Sequence, residues 1–329
     1  MRIGIVGAGA IGGWLGISLA ADGRHELSVF ARGATLAALR AGTWRMTVAG
    51  SARAASVTAS DDPRDLGEQD VVIIAVKGPA LETVAPLITP LIGQHTTVIP
   101  AMNGVPWWFL LGGGGELAPT RLASVDPRGL IDAAIPFASV LGCVVHASAA
   151  STGPGVVAHH AGHRLILGEP DGSRSRRLQR LAQTFRQEGF EVQISERIQR
   201  DIWYKLWGNM TMNPISALTG ATCDRILDDA LVNEFILKIM AEAAAVGARI
   251  GCGVEERGED RMRVTRRLGA FKTSMLQDAE GQRPLELDQL LCAPREIAAK
   301  LVIPTPFMDA LLGLTRLFAQ TRGLYSSGP

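Results

Sequence analysis

Residues 3–19 read Ile3-Gly4-Ile5-Val6-Gly7-Ala8-Gly9-Ala10-Ile11-Gly12-Gly13-Trp14-Leu15-Gly16-Ile17-Ser18-Leu19. A short β-type run, Ile3 to Val6, opens into the GxGxxG pattern of Gly7 to Gly12. Trp14, Leu15, Ser18 and Leu19 then continue at helical spacing. Strand, glycine turn and helix form the context in which this pattern cradles a dinucleotide. Gly7 permits the tight turn, Gly9 lets the backbone approach a pyrophosphate, and Gly12 lets the helix pack closely on the strand. The helix N-terminus presents free N–H groups and a positive dipole end to the phosphates. Gly7, Ala8, Gly9, Ala10, Ile11 and Gly12 are therefore the candidate cofactor-binding turn. The same stretch imitates a signal peptide, with Arg2 before it and Ala20-Ala21 after it. Its glycines argue otherwise, because each costs a helix about 1 kcal/mol relative to alanine.

Working outward, the second strand is expected at Glu26 to Phe30 and ends at Ala31-Arg32-Gly33. An NAD site usually carries an acid here for the ribose hydroxyls. Arg32 would instead pair with a 2′-phosphate through charge-assisted hydrogen bonds, so the expected cofactor is NADP(H). The plain alternative is an exposed loop arginine. A third strand, Asp70 to Val76, ends at Lys77-Gly78, which makes Lys77 a candidate second cation for the cofactor phosphates. The strand Thr96 to Ile99 leads to Asn103-Gly104. The Asn103 amide both donates and accepts, which suits a nicotinamide or a substrate oxygen, or simply a turn. From Leu141 to Gly168 the sequence reads as three β runs: Val144 to His146, Gly155 to Ala158 and Leu165 to Gly168. His146, His159, His160 and His163 lack the spacing of a metal site, so none is expected.

Composition limits the rest. The chain has 329 residues, 47% hydrophobic and 20% charged, with 33 basic and 32 acidic groups. The net charge of +1 supplies no global field for nucleic acid or an anionic membrane. Arg174-Ser175-Arg176-Arg177 reads as the solvated start of a helix. Four cysteines without a CxxC pair suggest free thiols in a reducing cytoplasm. Two domains are expected: an α/β Rossmann-like unit over 1–196 and an all-α unit over 197–329.

The second half holds the chemistry. Lys205, Asn209 and Asn213 recur at i, i+4 and i+8, one polar line on a helix. Trp203, Leu206, Trp207 and Met210 surround it with apolar surface. A polar stripe in such a setting suggests a pocket with defined hydrogen-bond demands, or else a network joining helices. Further on come Thr273-Ser274-Met275-Leu276-Gln277-Asp278 and Leu285-Glu286-Leu287-Asp288, where Ser274 offers a hydroxyl and Glu286 a carboxylate.

With these landmarks in order, the chain resembles the ketopantoate reductase family (2-dehydropantoate 2-reductase) over essentially its full length. The glycine motif is common to many dehydrogenases. Lys205…Asn209…Asn213-Pro214, followed by the 274–278 and 285–288 strings, is far more specific. The resemblance implies NADPH-dependent reduction of 2-dehydropantoate to pantoate. Lys205 would donate the proton. Asn103, Asn209, Asn213 and Ser274 would hold substrate, with Asn103 also near the nicotinamide. Glu286 would lie where cofactor meets substrate, and Ser148 would fall near a backbone contact to the cofactor. Burial among Trp203, Trp207 and Leu206 is expected to lower the lysine pKa, with Glu286 opposing. Two departures bear on substrate. Cys223 stands where the family has an asparagine, and Pro106-Trp107-Trp108-Phe109 could reshape the pocket mouth. The alternatives are a reductase of another 2-keto or β-keto acid, or a non-catalytic NADPH-binding sensor. The partner is a small keto acid, not nucleic acid or membrane. Ala-rich helices around Ile236 to Ile250 and from Ala298 onward could support a homodimer. The last helix should run from Phe307 to about Thr321, with Ser326-Ser327-Gly328-Pro329 frayed.

Overall fold

The computed structural model describes residues 1–113 and 115–326. It divides into two compact units, Met1–Met102 with Gly129–Ile198, and Asn103–Arg128 with Gln199–Pro329.

The first unit runs β1 (Arg2–Val6), α1 (Ala10–Ala20), β2 (Glu26–Phe30), α2 (Gly33–Arg40), β3 (Arg45–Val48), β4 (Ser51–Ala54), β5 (Thr58–Ser60), β6 (Val71–Ile74), α3 (Gly78–Val84), β7 (Thr97–Pro100), α4 (Leu130–Ala134), β8 (Gly142–Gly153), β9 (Val156–Gly168), α5 (Arg176–Gln187) and β10 (Glu191–Ile194). Strands β5-β2-β1-β6-β7 form a parallel sheet in that order. Val71 to Ile74 are all buried, as a central parallel strand covered on both faces requires. Strand order reverses direction at β1, and in such sheets ligands sit beyond the carboxyl ends at that point.

A second sheet is built on β9. It pairs antiparallel with β8 and parallel with both β3 and β10. Helix α1 packs against strands of both sheets. That explains why its sequence is apolar and glycine-rich all round: Gly12 to Leu19 are buried without a break. A Cβ at Gly16 would fall 2.1 Å from the Trp44 ring, so the indole fits only because glycine is there. The apolar look of residues 3–19 is thus that of a buried strand, β1, followed by a buried helix, α1. Among the described residues no helix is long and apolar enough to cross a membrane.

Two sequence readings need correction here. The second and third expected β runs are one 13-residue strand, β9. It passes through Gly162 at φ +74, where a Cβ would sit 2.5 Å from the His146 carbonyl oxygen. The glycine marks a bulge in pairing with β8 rather than an end. Arg177, expected in solvent, instead grips Glu169, whose side chain is 4% exposed. Its Nε and Nη2 donate to Glu169 at 2.8 and 2.6 Å, and its other contacts are the Ala138 and Val140 carbonyls. Ser175, the N-cap of α5, adds its hydroxyl to the same carboxylate.

The second unit is helical: α6 (Ile198–Thr219), α7 (Cys223–Asp228), α8 (Ala230–Arg249), α9 (Gly258–Arg266), α10 (Ser274–Glu280), a π turn over Asp288–Cys292, α11 (Ala293–Lys300) and α12 (Pro306–Thr321). Asn103–Arg128, read from sequence as part of the first domain, clusters with these helices, and the later boundary falls after Ile198. The reason is apolar. Trp107, Trp108, Phe109 and Leu110 are all buried, and the Phe109 ring lies 6.1 Å from that of Trp203. These aromatics build the helical core, which corrects the expectation that they shape a pocket mouth. The expected frayed residues Ser327, Gly328 and Pro329 lie outside the described residues.

Candidate active site

The glycine turn has the geometry that its sequence demands. Gly7 sits at φ +92, a conformation costly for any side-chain-bearing residue. A Cβ at Gly12 would fall 1.9 Å from the Gly7 carbonyl oxygen. Both are needed by the fold itself. Gly9 is different, because a Cβ there would meet nothing within 4 Å. The protein alone does not require glycine at this exposed position, whereas a closely approaching pyrophosphate would. Gly9 is also the N-cap of α1 and supplies no side-chain cap, and no acid stands in the first turn. The first N–H groups of the helix therefore stay available for an anion. The donor set fits a dinucleotide phosphate.

Arg32 caps α2 at the end of β2, beside the turn, since the Gly7 N–H donates to the Phe30 carbonyl at 3.1 Å. Its side chain is exposed and makes no ion pair among the described residues. Lys77 is half-buried at the start of α3. It follows Ala75 and Val76, which wall the glycine turn. Ser148 lies at an irregularity of β8. Its neighbours Ala147 and Ala149 pack on the core. No hydrogen bond joins it to the glycine turn among the described residues.

In the second unit, Lys205 Nζ donates to Asn103 Oδ1 at 2.8 Å, which joins two residues 102 positions apart. The loop bearing Asn103 is clamped on the π turn. The Val105 N–H donates to the Gln289 carbonyl at 2.9 Å, and Gly104 at φ +77 packs directly on Gln289. A Cβ at Gly104 would sit 2.5 Å from that carbonyl oxygen. Asn209 is half-buried and Asn213 buried on α6, and neither amide pairs with another described residue. Ser274 is exposed at the first position of α10. That helix is tied to α6 by a 3.0 Å bond between Thr273 and Ser216, three residues beyond Asn213. Glu286 is half-buried, three residues ahead of Gln289.

Trp203 and Trp207 do not surround the lysine as expected. Two residues away on a helix is a rotation of about 200°. Their indole N–H groups donate to Ala243 and Met240 of α8 at 3.2 and 2.7 Å. They hold α6 against α8 and leave the polar line on the opposite side. Cys223 is buried at the start of α7, and its thiol is pushed up to about 11 by burial, with Asp224 adding to the effect. A neutral, buried thiol is no nucleophile. Two motif residues prove structural: Asp278 accepts from Arg283 at 3.0 Å, and Asp288 from the Tyr325 hydroxyl at 2.6 Å. The role of Gln289 was missed from sequence, because a backbone carbonyl leaves no trace in residue type. Only Gly104 hinted at a close approach.

Residues 3–172 match the family model described as ketopantoate reductase PanE/ApbA, and residues 197–319 match its C-terminal counterpart. The 2-dehydropantoate 2-reductase of Mesorhizobium japonicum is 42% identical over 326 residues, 99% of this chain and 100% of its own. A crystal structure from Ralstonia solanacearum MolK2, provisionally described as a ketopantoate reductase, has a TM-score of 0.95 at 58% identity and covers 98% of this chain and 99% of its own. D-mandelate dehydrogenase, solved with NADH and anilino(oxo)acetate, shares the fold with a TM-score of 0.85 at 19% identity, covering 99% of this chain and 100% of its own.

Proposed function

The chain belongs to the ketopantoate reductase family of oxidoreductases, and on that premise we propose that it reduces the keto group of 2-dehydropantoate with NADPH, giving pantoate. The observation that carries this reading is the Lys205 ammonium, held 2.8 Å from Asn103 and aligned with two amides on α6 that pair with no other described residue.

NADPH, when bound, supplies the hydride that attacks the keto carbon. The turn Gly7 to Gly12 would hold its pyrophosphate. Arg32 would pair with the 2′-phosphate, which a carboxylate at that position would repel. Lys77 would add a second cation, and by family resemblance Ser148 and Glu286 would also contact the cofactor. As the keto oxygen gains negative charge, Lys205 Nζ stabilises it and then transfers its proton to it. Asn103 fixes the lysine side chain in position. Asn209, Asn213 and Ser274 offer neutral hydrogen bonds that orient the substrate, and orientation itself lowers the barrier. Four free cysteines accord with a reducing, cytoplasmic setting.

A second reading keeps the chemistry and changes the acid. It is favoured by Cys223, a buried neutral thiol where the family resemblance places an amide, and by the use of the same fold in D-mandelate dehydrogenase. Initial rates with 2-dehydropantoate and a panel of other 2-keto acids, each with NADPH and NADH, test both. The highest kcat/KM is expected for 2-dehydropantoate with NADPH. A better substrate among the others would replace it. Cofactor binding without consumption would leave a sensor.

A further inference from the structure

Arg261, on α9, is a cation that the proposed chemistry does not use. Its guanidinium rests on α6 at Gly208, where a Cβ would fall 2.7 Å from Nη2 and 3.0 Å from Cζ. Glycine inside a helix costs about 1 kcal/mol relative to alanine. Here it makes room for the guanidinium. The remaining surroundings of Arg261 are poor in negative charge. Cζ stands 5.5 Å from the centre of the Tyr204 ring, and Nη1 donates to the Thr265 hydroxyl at 3.1 Å. Nε is shut off from solvent and meets no acceptor among the described residues. Among the described residues no carboxylate forms an ion pair with Arg261, and nearby Glu256 accepts from the Tyr204 hydroxyl instead. Partly buried arginines are ordinarily paired, because a withdrawn charge needs an anion.

Position says which anion. Gly208 lies one turn beyond Lys205 and about 60° around α6, and Tyr204 about 100° around on the same side, so Arg261 flanks the lysine on the side of the helix away from Asn209. A 2-keto acid carries its carboxylate on the carbon next to the keto carbon. One cation is needed at the keto oxygen, and a second, planar and forked, suits the carboxylate. We infer that Arg261 is a specificity-determining residue that binds the carboxylate of the substrate, and that Gly208 is glycine so that it can do so. This rests on the 2-keto acid reading above.

The test compares the best 2-keto acid substrate with its primary amide, which keeps the keto group and loses the charge. Wild type, Arg261→Ala, Arg261→Lys and Gly208→Ala are assayed by steady-state NADPH consumption, with thermal unfolding as a check on folding. For Arg261→Ala, KM for the acid should rise roughly 10- to 100-fold, the scale of a charge-assisted hydrogen bond. The acid-over-amide ratio of kcat/KM should fall by a similar factor. Gly208→Ala, which displaces only the flexible end of the arginine, should shift the ratio the same way, and Arg261→Lys should fall between. An unchanged ratio, or equal losses on acid and amide, overturns the inference while leaving the reductase reading intact. A wild-type protein that reduces no 2-keto acid overturns both.

Discussion

Replacing Gly104 by alanine should damage both stability and turnover, and the structure separates two causes. The residue sits at φ +77, which an L-residue tolerates at a cost of about 1–2 kcal/mol. The new Cβ would also lie 2.5, 2.6 and 2.7 Å from the oxygen, Cβ and carbonyl carbon of Gln289. Two of those atoms are backbone of the π turn, so relief requires moving the turn or the loop, at about 1–3 kcal/mol for such overpacking. The sum is roughly 2–5 kcal/mol. Gly220 is the control: at φ +70 an added methyl group would meet nothing within 4 Å, so Gly220→Ala carries the conformational cost alone. Urea unfolding of both variants should place Gly104→Ala about 1–3 kcal/mol below Gly220→Ala. Because the loop carries Asn103 to Lys205, a shift of about 1 Å should also lower kcat by as much as about 10²-fold. If the two variants were equally stable, or if Gly104→Ala kept full kcat, the clamp on Gln289 would not position the site.

Arg32→Ala should weaken NADPH at least about tenfold while changing NADH little, the scale of one charged hydrogen-bonding contact. Fluorescence titration with each nucleotide measures this, and equal weakening of both would reject the 2′-phosphate contact. Glu169→Gln leaves the Arg177 guanidinium half-buried without its anion and should cost roughly 3 kcal/mol in denaturant unfolding; a change within about 0.5 kcal/mol, ordinary for surface sites, would show the pair to be dispensable. Burial raises the Asp288 carboxyl above its ordinary 3.8, against the opposing hydrogen bonds of Tyr325 and Cys292. The folded state then binds this proton more tightly than the unfolded state. Its stabilising contribution is complete below the unfolded value and is lost as pH rises through the raised one. Asp288→Asn should flatten that decline when unfolding is followed between about pH 4 and pH 7, and parallel wild-type and variant curves would contradict it.

The glycine turn was legible because its requirements are written in residue type. Gly7 and Gly12 are forced by φ and by close approach, and Gly9 stands out as unforced. The line Lys205–Asn209–Asn213 was legible because helical period converts spacing into direction. The same arithmetic also places Trp203 and Trp207 on the far side, but apolar neighbours in sequence were read as neighbours in space. The aromatic run Trp107 to Phe109 announced burial without saying against which partner, and the partner lies about 95 residues away at Trp203. Strand β9 read as two runs, Gly155 to Ala158 and Leu165 to Gly168, and only pairing with β8 shows that the strand continues through Gly162. Arg177 looked like one of several surface arginines until Glu169, eight residues earlier, proved buried.

The account depends most on the Lys205 amine as proton donor to the reduced keto group. Lys205→Ala should lower kcat with the preferred 2-keto acid by about 10²-fold or more, with NADPH affinity retained. Turnover within a fewfold of wild type, under saturating NADPH and keto acid, would contradict it.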